Sequence, residues 1–152
     1  MISPEEMKQR MNLFTVGLRR AGIKVTHQRL EVFRELAKSS NHPDAETIYK
    51  GVRKRVSTVS LDTVYRTLWL LLDLGLITTL GPARERARFD ANMKSHHHFV
   101  CSKCGKTFDV YSNEFDQLRV PDNVKTFGHV EKMHVEIRGI CLECSQRKKG
   151  VV

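Results

Sequence analysis

Apolar residues recur every three or four positions through the first half of the chain, a spacing that gathers them on one side of an α-helix. Residues typical of helix starts precede these runs, namely Ser3 with Pro4, Thr26, Pro43 and Ser60. The pattern predicts four helices. The side chains expected to face inward are Met7, Met11, Phe14, Leu18, Leu30, Phe33, Leu36, Ala37, Ile48, Tyr49, Val52, Val64, Leu68, Leu71 and Leu72.

Two short strands are predicted after the fourth helix. Leu76–Leu80 and Ala87–Asp90 flank a turn at 81–86 and are expected to form a β-hairpin. Short helices followed by a hairpin are typical of a winged helix-turn-helix, in which one helix enters the major groove of DNA.

The remaining residues predict a second, smaller domain. Its elements are three strands and one helix, at His97–Cys101, Thr107–Tyr111, Val130–Arg138 and Glu114–Leu118. The composition changes too, since no cysteine precedes Cys101 and five of the seven histidines lie from His96 onward. We therefore predict an α+β chain, with a winged helix-turn-helix domain at 1–90 and a small α/β domain at 91–152.

The composition is that of a globular protein, with 40% hydrophobic and 28% charged residues among 152. No apolar run approaches the roughly 18 residues that cross a bilayer, and the N-terminus lacks the pattern of a secretion signal. We therefore expect a cytoplasmic protein without a membrane partner. The 26 Lys and Arg against 17 Asp and Glu give a net charge of +9, which favours a polyanion such as nucleic acid as the partner.

The four cysteines form two pairs with two residues between their members, Cys101 with Cys104 and Cys141 with Cys144. Two such turns can aim four thiolates at one ion, and a closed tetrahedral sulfur site is the structural preference of Zn²⁺. Four free thiols or two disulfides are the alternatives. Because a closed site has no open position, we predict one structural zinc ion per subunit and no catalytic residues.

Three consecutive histidines precede the first cysteine pair. On a strand, His96 and His98 project to one face and His97 to the other. The further candidate ligands of the same site are His42, Asp90 and Asp109. Nitrogen and carboxylate ligands without sulfur suit Fe²⁺, Mn²⁺ or Zn²⁺. A solvated strand end is the alternative interpretation.

Polar residues occupy the first turns of the fourth predicted helix, which is otherwise apolar. Such side chains can bond phosphates and base edges, although an ordinary solvated face would have the same pattern. The basic hairpin turn and the net charge favour DNA. The candidate DNA contacts are Ser60, Thr63, Tyr65, Arg66, Arg84 and Arg86.

Six short motifs between about Gly17 and Cys144 carry a family resemblance. They are Gly22-x-x-x-Thr26-x-x-Arg29, His42-Pro43-x-Ala45-x-x-Ile48-Tyr49, Ser60-x-x-Thr63-Val64-Tyr65-Arg66, Arg88-Phe89-Asp90, His96-x-His98-Phe99-Val100-Cys101-x-x-Cys104-Gly105-Lys106 and Gly139-x-Cys141-x-x-Cys144. Together they resemble the ferric uptake regulator family of bacterial metal-responsive repressors. The resemblance implies a homodimer bound to a palindromic operator in double-stranded DNA, a C-terminal dimerisation domain, a structural zinc and a regulatory metal at the domain boundary.

The regulatory ligands of that family correspond to His42, Asp90, His96, His98 and Asp109. The iron sensors usually have glutamate at the two aspartate positions, whereas the peroxide sensors have aspartate at both. The iron sensors also have a further site, which Ser95 and Met133 would break here. Both features favour a peroxide sensor with one regulatory Fe²⁺ or Mn²⁺ per subunit, in which iron-catalysed oxidation of His42 or His96 releases DNA. Arg66 resembles the iron branch instead.

Other functions are still possible at this point. The chain could be an iron-responsive, or zinc- or manganese-responsive, repressor of metal uptake genes. A non-haem metal enzyme could use the same ligands, but no nucleophile or general base is evident beyond them. A zinc-ribbon interaction module would leave residues 1–90 unexplained. We expect no enzyme activity, and hydrogen peroxide as a signal and not as a substrate.

Overall fold

The computed structural model describes residues 2–80 and 87–147. The chain divides between Met93 and Lys94 into two compact units, called here the N-terminal unit and the C-terminal unit. None of the helices in these described ranges has the length and apolar character needed to cross a membrane.

Four helices make up most of the N-terminal unit, and each begins at a side chain that accepts a hydrogen bond from a backbone N–H. Ser3, Thr26, Asp44 and Ser60 are the four caps. The helices are α1 (Pro4–Arg20), α2 (His27–Ala37), α3 (Ala45–Arg53) and α4 (Leu61–Asp73).

The predicted start of the third helix at Pro43 is wrong by two residues. The Asp44 carboxylate accepts a hydrogen bond from the Thr47 N–H at 2.8 Å and caps the helix. The Pro43 carbonyl accepts instead from the Phe89 N–H at 3.0 Å. Pro43 is therefore part of the link between α3 and the hairpin.

The hydrophobic core of the N-terminal unit lies between its helices and the hairpin. Phe14 of α1 and Phe33 of α2 stack with ring centroids 4.5 Å apart. Most of the side chains predicted to face inward are buried, but some are only partly so. The partly buried ones are Met7, Met11, Leu30, Tyr49 and Leu72.

A buried acid joins α2 to the segment before α4. The Glu31 carboxylate is bonded by Arg55 Nε at 2.6 Å and by Arg34. Burial alone would raise the pKa of Glu31, but the hydrogen bond from Arg55 and the charges of Arg34 and Arg55 lower it overall. These bonds fix the connection that leads into α4.

The hairpin of the N-terminal unit is shorter than predicted. Strands β1 (Thr78–Leu80) and β2 (Arg88–Asp90) pair antiparallel over three residues each. Gly75, with φ +68°, follows the end of α4, in a conformation that glycine adopts without strain. The turn between the strands, with Arg84 and Arg86, lies outside the described residues.

A three-stranded sheet forms the centre of the C-terminal unit. Its strands β3 (His97–Cys101), β4 (Thr107–Val110) and β5 (Glu136–Gly139) lie in the order β4-β3-β5, with β3 antiparallel to β4 and parallel to β5. The remaining elements are α5 (Asn113–Asp116), a 3-10 helix (Asp122–Thr126) and α6 (Leu142–Arg147). The predicted α+β class is confirmed.

Two predictions for the C-terminal unit need correction. Only the last part of the predicted strand Val130–Arg138 is a strand, because β5 pairs with β3 alone over four residues. Helix α5 is likewise shorter than the predicted Glu114–Leu118, and α6 was not predicted.

Candidate metal centres and nucleic-acid interface

The four cysteines meet at one end of the C-terminal sheet. Cys101 ends β3 beside Gly139 of β5, so the parallel pairing brings the second cysteine turn next to the first. The sulfur atoms of Cys101, Cys104, Cys141 and Cys144 all lie within 4.8 Å of one another. All four are free thiols, so the disulfide alternative is wrong.

The sulfur spacing fits one tetrahedral ion. The Sγ atoms of Cys104 and Cys141 are 3.7 Å apart, and two sulfurs bound to one zinc at about 2.3 Å stand roughly 3.8 Å apart. The prediction of a four-cysteine cluster suited to structural zinc is confirmed.

The thiols of this cluster differ in acidity. The Cys141 N–H donates to Cys101 Sγ at 3.3 Å, and this bond, with those from Cys104 and Lys103, lowers the pKa of Cys101 to about 6. Hydrogen bonds with the neighbouring thiols, Cys141 first, raise the pKa of Cys144 to about 12. Four sulfurs this close cannot all carry negative charge without a cation, and zinc supplies it as the protons leave.

An ion pair that the sequence did not indicate joins the two cysteine turns. Lys106 Nζ lies 2.6 Å from Glu143 Oε2. The hydrogen bond from Lys106 lowers the pKa of Glu143. Both side chains are exposed, so the pair contributes little free energy of folding, but it links the residue after the first turn to a residue inside the second.

The second candidate centre contains histidine and aspartate. In the C-terminal unit, His98 of β3 is paired with Asp109 of β4. His96 precedes β3, and its ring centroid lies 4.8 Å from that of His98. The Asp109 Oδ1 atom is 3.7 Å from the Nε2 atom of each histidine. Both histidines are buried.

The N-terminal unit contains a buried pair of the same kind, His42 and Asp90. His42 Nε2 lies 3.3 Å from Asp90 Oδ2, and the other Asp90 oxygen accepts the Asn92 N–H at 2.7 Å. His42 has φ +48°, a conformation uncommon for residues other than glycine and often found at functional sites. In each unit the donors are imidazole and carboxylate without sulfur, a set suited to a regulatory iron or manganese ion.

His97, the middle histidine, points away from this site. Its Nδ1 accepts the Val135 N–H and its Nε2 bonds Asp116, each at 3.0 Å. The hydrogen bonds from Ser95, first, and from His97 lower the pKa of Asp116. Sequence reasoning missed Asp116 and Val135, because both lie far along the chain.

Met133, one of the two residues that would break the further site of the iron sensors, precedes β5. Met133 is exposed. His134 also precedes β5, and its ring centroid lies 5.9 Å from that of His98.

The candidate DNA contacts described by the structure lie at the start of α4. Ser60 Oγ accepts the Thr63 N–H at 3.0 Å and is 2.8 Å from Thr63 Oγ1. Tyr65 is exposed at 38%, and Arg66 is 81% exposed with Nε 2.9 Å from Asp62 Oδ2. The polar start of α4 is therefore accessible and is preorganised by its own cap.

The ferric uptake regulator family model matches residues 20–138. The chain belongs to the ferric uptake regulator family. Among curated relatives, the peroxide-responsive repressor PerR of Staphylococcus epidermidis is 33% identical over 86% of this chain and 87% of its own. PerR of Staphylococcus aureus is 31% identical over 94% and 97%.

A solved structure of the ferric uptake regulator Fur of Helicobacter pylori superposes with a TM-score of 0.72, at 25% identity over 95% of this chain and 97% of that one. The chain is therefore a metal-responsive regulator of this family, and its relatives are transcriptional regulators.

Proposed function

We propose that the protein is a metal-dependent transcriptional repressor that senses hydrogen peroxide. The observation that carries the proposal is that each unit holds a group of nitrogen and carboxylate donors, one around Asp90 and one around Asp109, and that aspartate is the acidic residue in both. The similarity to repressors named peroxide-responsive supports it.

The proposed regulatory site uses both units. Its ligands are His42, Asp90, His96, His98 and Asp109. An ion held by ligands from both units would restrict their relative orientation, so metal would favour the arrangement that binds DNA over the others. Bound ferrous iron would supply electrons to hydrogen peroxide. His42 and His96 are the proposed oxidation targets, and loss of a ligand imidazole would weaken the site.

The C-terminal unit supports the proposal of a homodimer. Several large apolar side chains on it are exposed, among them Phe127 at 84% and Leu142 at 78%. A second subunit would cover such side chains. Two copies of α4 could then bind the two halves of a palindromic operator, about 34 Å apart.

The test of the proposed function is anaerobic loading with Fe²⁺ followed by stoichiometric hydrogen peroxide. We expect one oxygen atom to be inserted into an imidazole C–H bond of His42 or His96, with release of water and loss of DNA binding. Peptide mass spectrometry and a gel shift measure the two effects. Manganese-loaded protein is the control, and peroxide should neither oxidise its histidines nor release it from DNA. DNA release by chelation alone, with no oxidation by peroxide, would indicate an iron or other metal sensor.

Arg66→Ala is expected to weaken binding to the operator by roughly 1–3 kcal/mol if Arg66 bonds a guanine edge. Binding to random DNA should change much less. Salt-dependent gel shifts on both duplexes measure this. Arg119→Ala, which removes an exposed arginine from the C-terminal unit, is the matched control. Equal weakening on both duplexes would make Arg66 a phosphate contact, and no change on either would remove it from the interface.

A further inference from the structure

The middle histidine of the triplet has both ring nitrogens in use. The Val135 N–H donates to His97 Nδ1, so the proton of the neutral ring is on Nε2, which donates to Asp116 Oδ1. The side chain is buried at 3% exposure. With Nδ1 accepting and Nε2 protonated, His97 has no lone pair to offer a metal ion.

The same carboxylate oxygen of Asp116 holds a second residue of this segment. Ser95 Oγ donates to it at 2.7 Å. The ring of His97 also packs edge-on against Phe115, with centroids 5.3 Å apart. Asp116 and Phe115 both belong to α5. Helix α5 therefore fastens Ser95 and His97, the two residues that flank His96.

Val135 forms hydrogen bonds with the other side of the segment 95–98. Its N–H bonds the ring of His97, and its carbonyl accepts the His98 N–H at 3.1 Å. The bonds that Ser95, His97 and His98 make with α5 and Val135 thus fix the backbone around the candidate ligands His96 and His98. These bonds lie on the face of β3 opposite the ligands or along the edge of the strand.

We infer that the Ser95–Asp116–His97 cluster is a positioning device that sets the metal affinity of the regulatory site. This inference rests on the proposed function. Imidazoles bind an ion tightly only when their positions are fixed before the ion arrives. Mutating the partners that orient metal ligands commonly lowers metal affinity about 10- to 100-fold. The cluster fixes the backbone that bears His96 and His98.

The test compares Asp116→Ala with Asp116→Asn in the zinc-loaded full chain. Alanine removes the acceptor of both hydrogen bonds. Asparagine keeps an oxygen that can accept hydrogen bonds from Ser95 and from His97, so Asp116→Asn should retain the metal affinity that Asp116→Ala loses. Glu114→Ala removes a carboxylate from the same helix without touching the cluster and is the matched control. The probe is Mn²⁺ alone, which does not undergo the oxidation chemistry and does not compete for thiolates.

Calorimetry should show Mn²⁺ affinity lowered about tenfold in Asp116→Ala, at the lower end of such effects. The Asp116→Asn and Glu114→Ala proteins should match the wild type, and zinc content and the unfolding midpoint should be the same in all four. Unchanged affinity in Asp116→Ala would overturn the inference while the proposed function stands. The inference would also be overturned if Asp116→Ala and Asp116→Asn lost Mn²⁺ affinity equally. It would be overturned as well if the loss of affinity came with a lowered unfolding midpoint. If the wild type itself binds no Mn²⁺, the proposed function fails, and the inference with it.

Discussion

Cys104→Ser protein is expected to lose its zinc ion and to unfold across the C-terminal unit. A structural zinc site supplies on the order of 10 kcal/mol of folding free energy, which is comparable with the whole stability of a typical domain. The C-terminal unit has little to replace it. Among its described residues, the only buried hydrophobic side chains are Cys101 and Cys141 themselves.

The measurements for this variant are zinc content, thermal unfolding and molecular mass in solution. We expect no zinc, a lost or greatly lowered transition and a monomer. Lys103→Ser, which changes an exposed residue of the same turn and keeps all four sulfurs, is the matched control and should resemble the wild type. A stable, dimeric Cys104→Ser protein without zinc would contradict the structural role.

Local signals explain why much of the fold could be predicted. A capping side chain bonds a backbone N–H three residues away, so Ser3, Thr26 and Ser60 indicated the helix starts by themselves. The two cysteine turns are equally local, and thiolate chemistry then requires them to meet. The helix start predicted at Pro43 was wrong because proline fits the first turn of a helix and fits the position before a capping residue equally well.

Long-range contacts account for what the sequence did not reveal. The alternation through Val130–Arg138 suggested a long strand, but strand length is set by the partner, and β3 offers β5 only four residues. The role of His97 depended on Asp116 and Val135, which no local pattern connects to it. For the metal site, the strand period correctly separated His97 from His96 and His98, since alternate side chains share a face.

Asp109→Glu is expected to keep metal-dependent DNA binding and to lose peroxide sensitivity. The extra methylene adds about 1.5 Å of reach. Asp109 Oδ1 is already equidistant, at 3.7 Å, from His96 Nε2 and His98 Nε2. Because the β3–β4 pairing fixes the backbone of residue 109 opposite His98, the added length must carry the carboxylate further in among the ligands. A longer carboxylate can engage an ion through both oxygens, which leaves less room for peroxide.

The measurement is oxygen incorporation into the His42 and His96 peptides after anaerobic Fe²⁺ loading and stoichiometric peroxide, with DNA binding followed in parallel. We expect incorporation at least about tenfold slower than in the wild type, equivalent to roughly 1.4 kcal/mol in activation free energy, while the Fe²⁺-loaded variant still binds the operator. Asp122→Glu adds the same methylene at an exposed position of the C-terminal unit, and should behave as the wild type does. If Asp109→Glu protein is oxidised and released from DNA as fast as the wild type, the length of this carboxylate does not determine peroxide sensing, and the paired aspartates lose their value as the mark of a peroxide sensor.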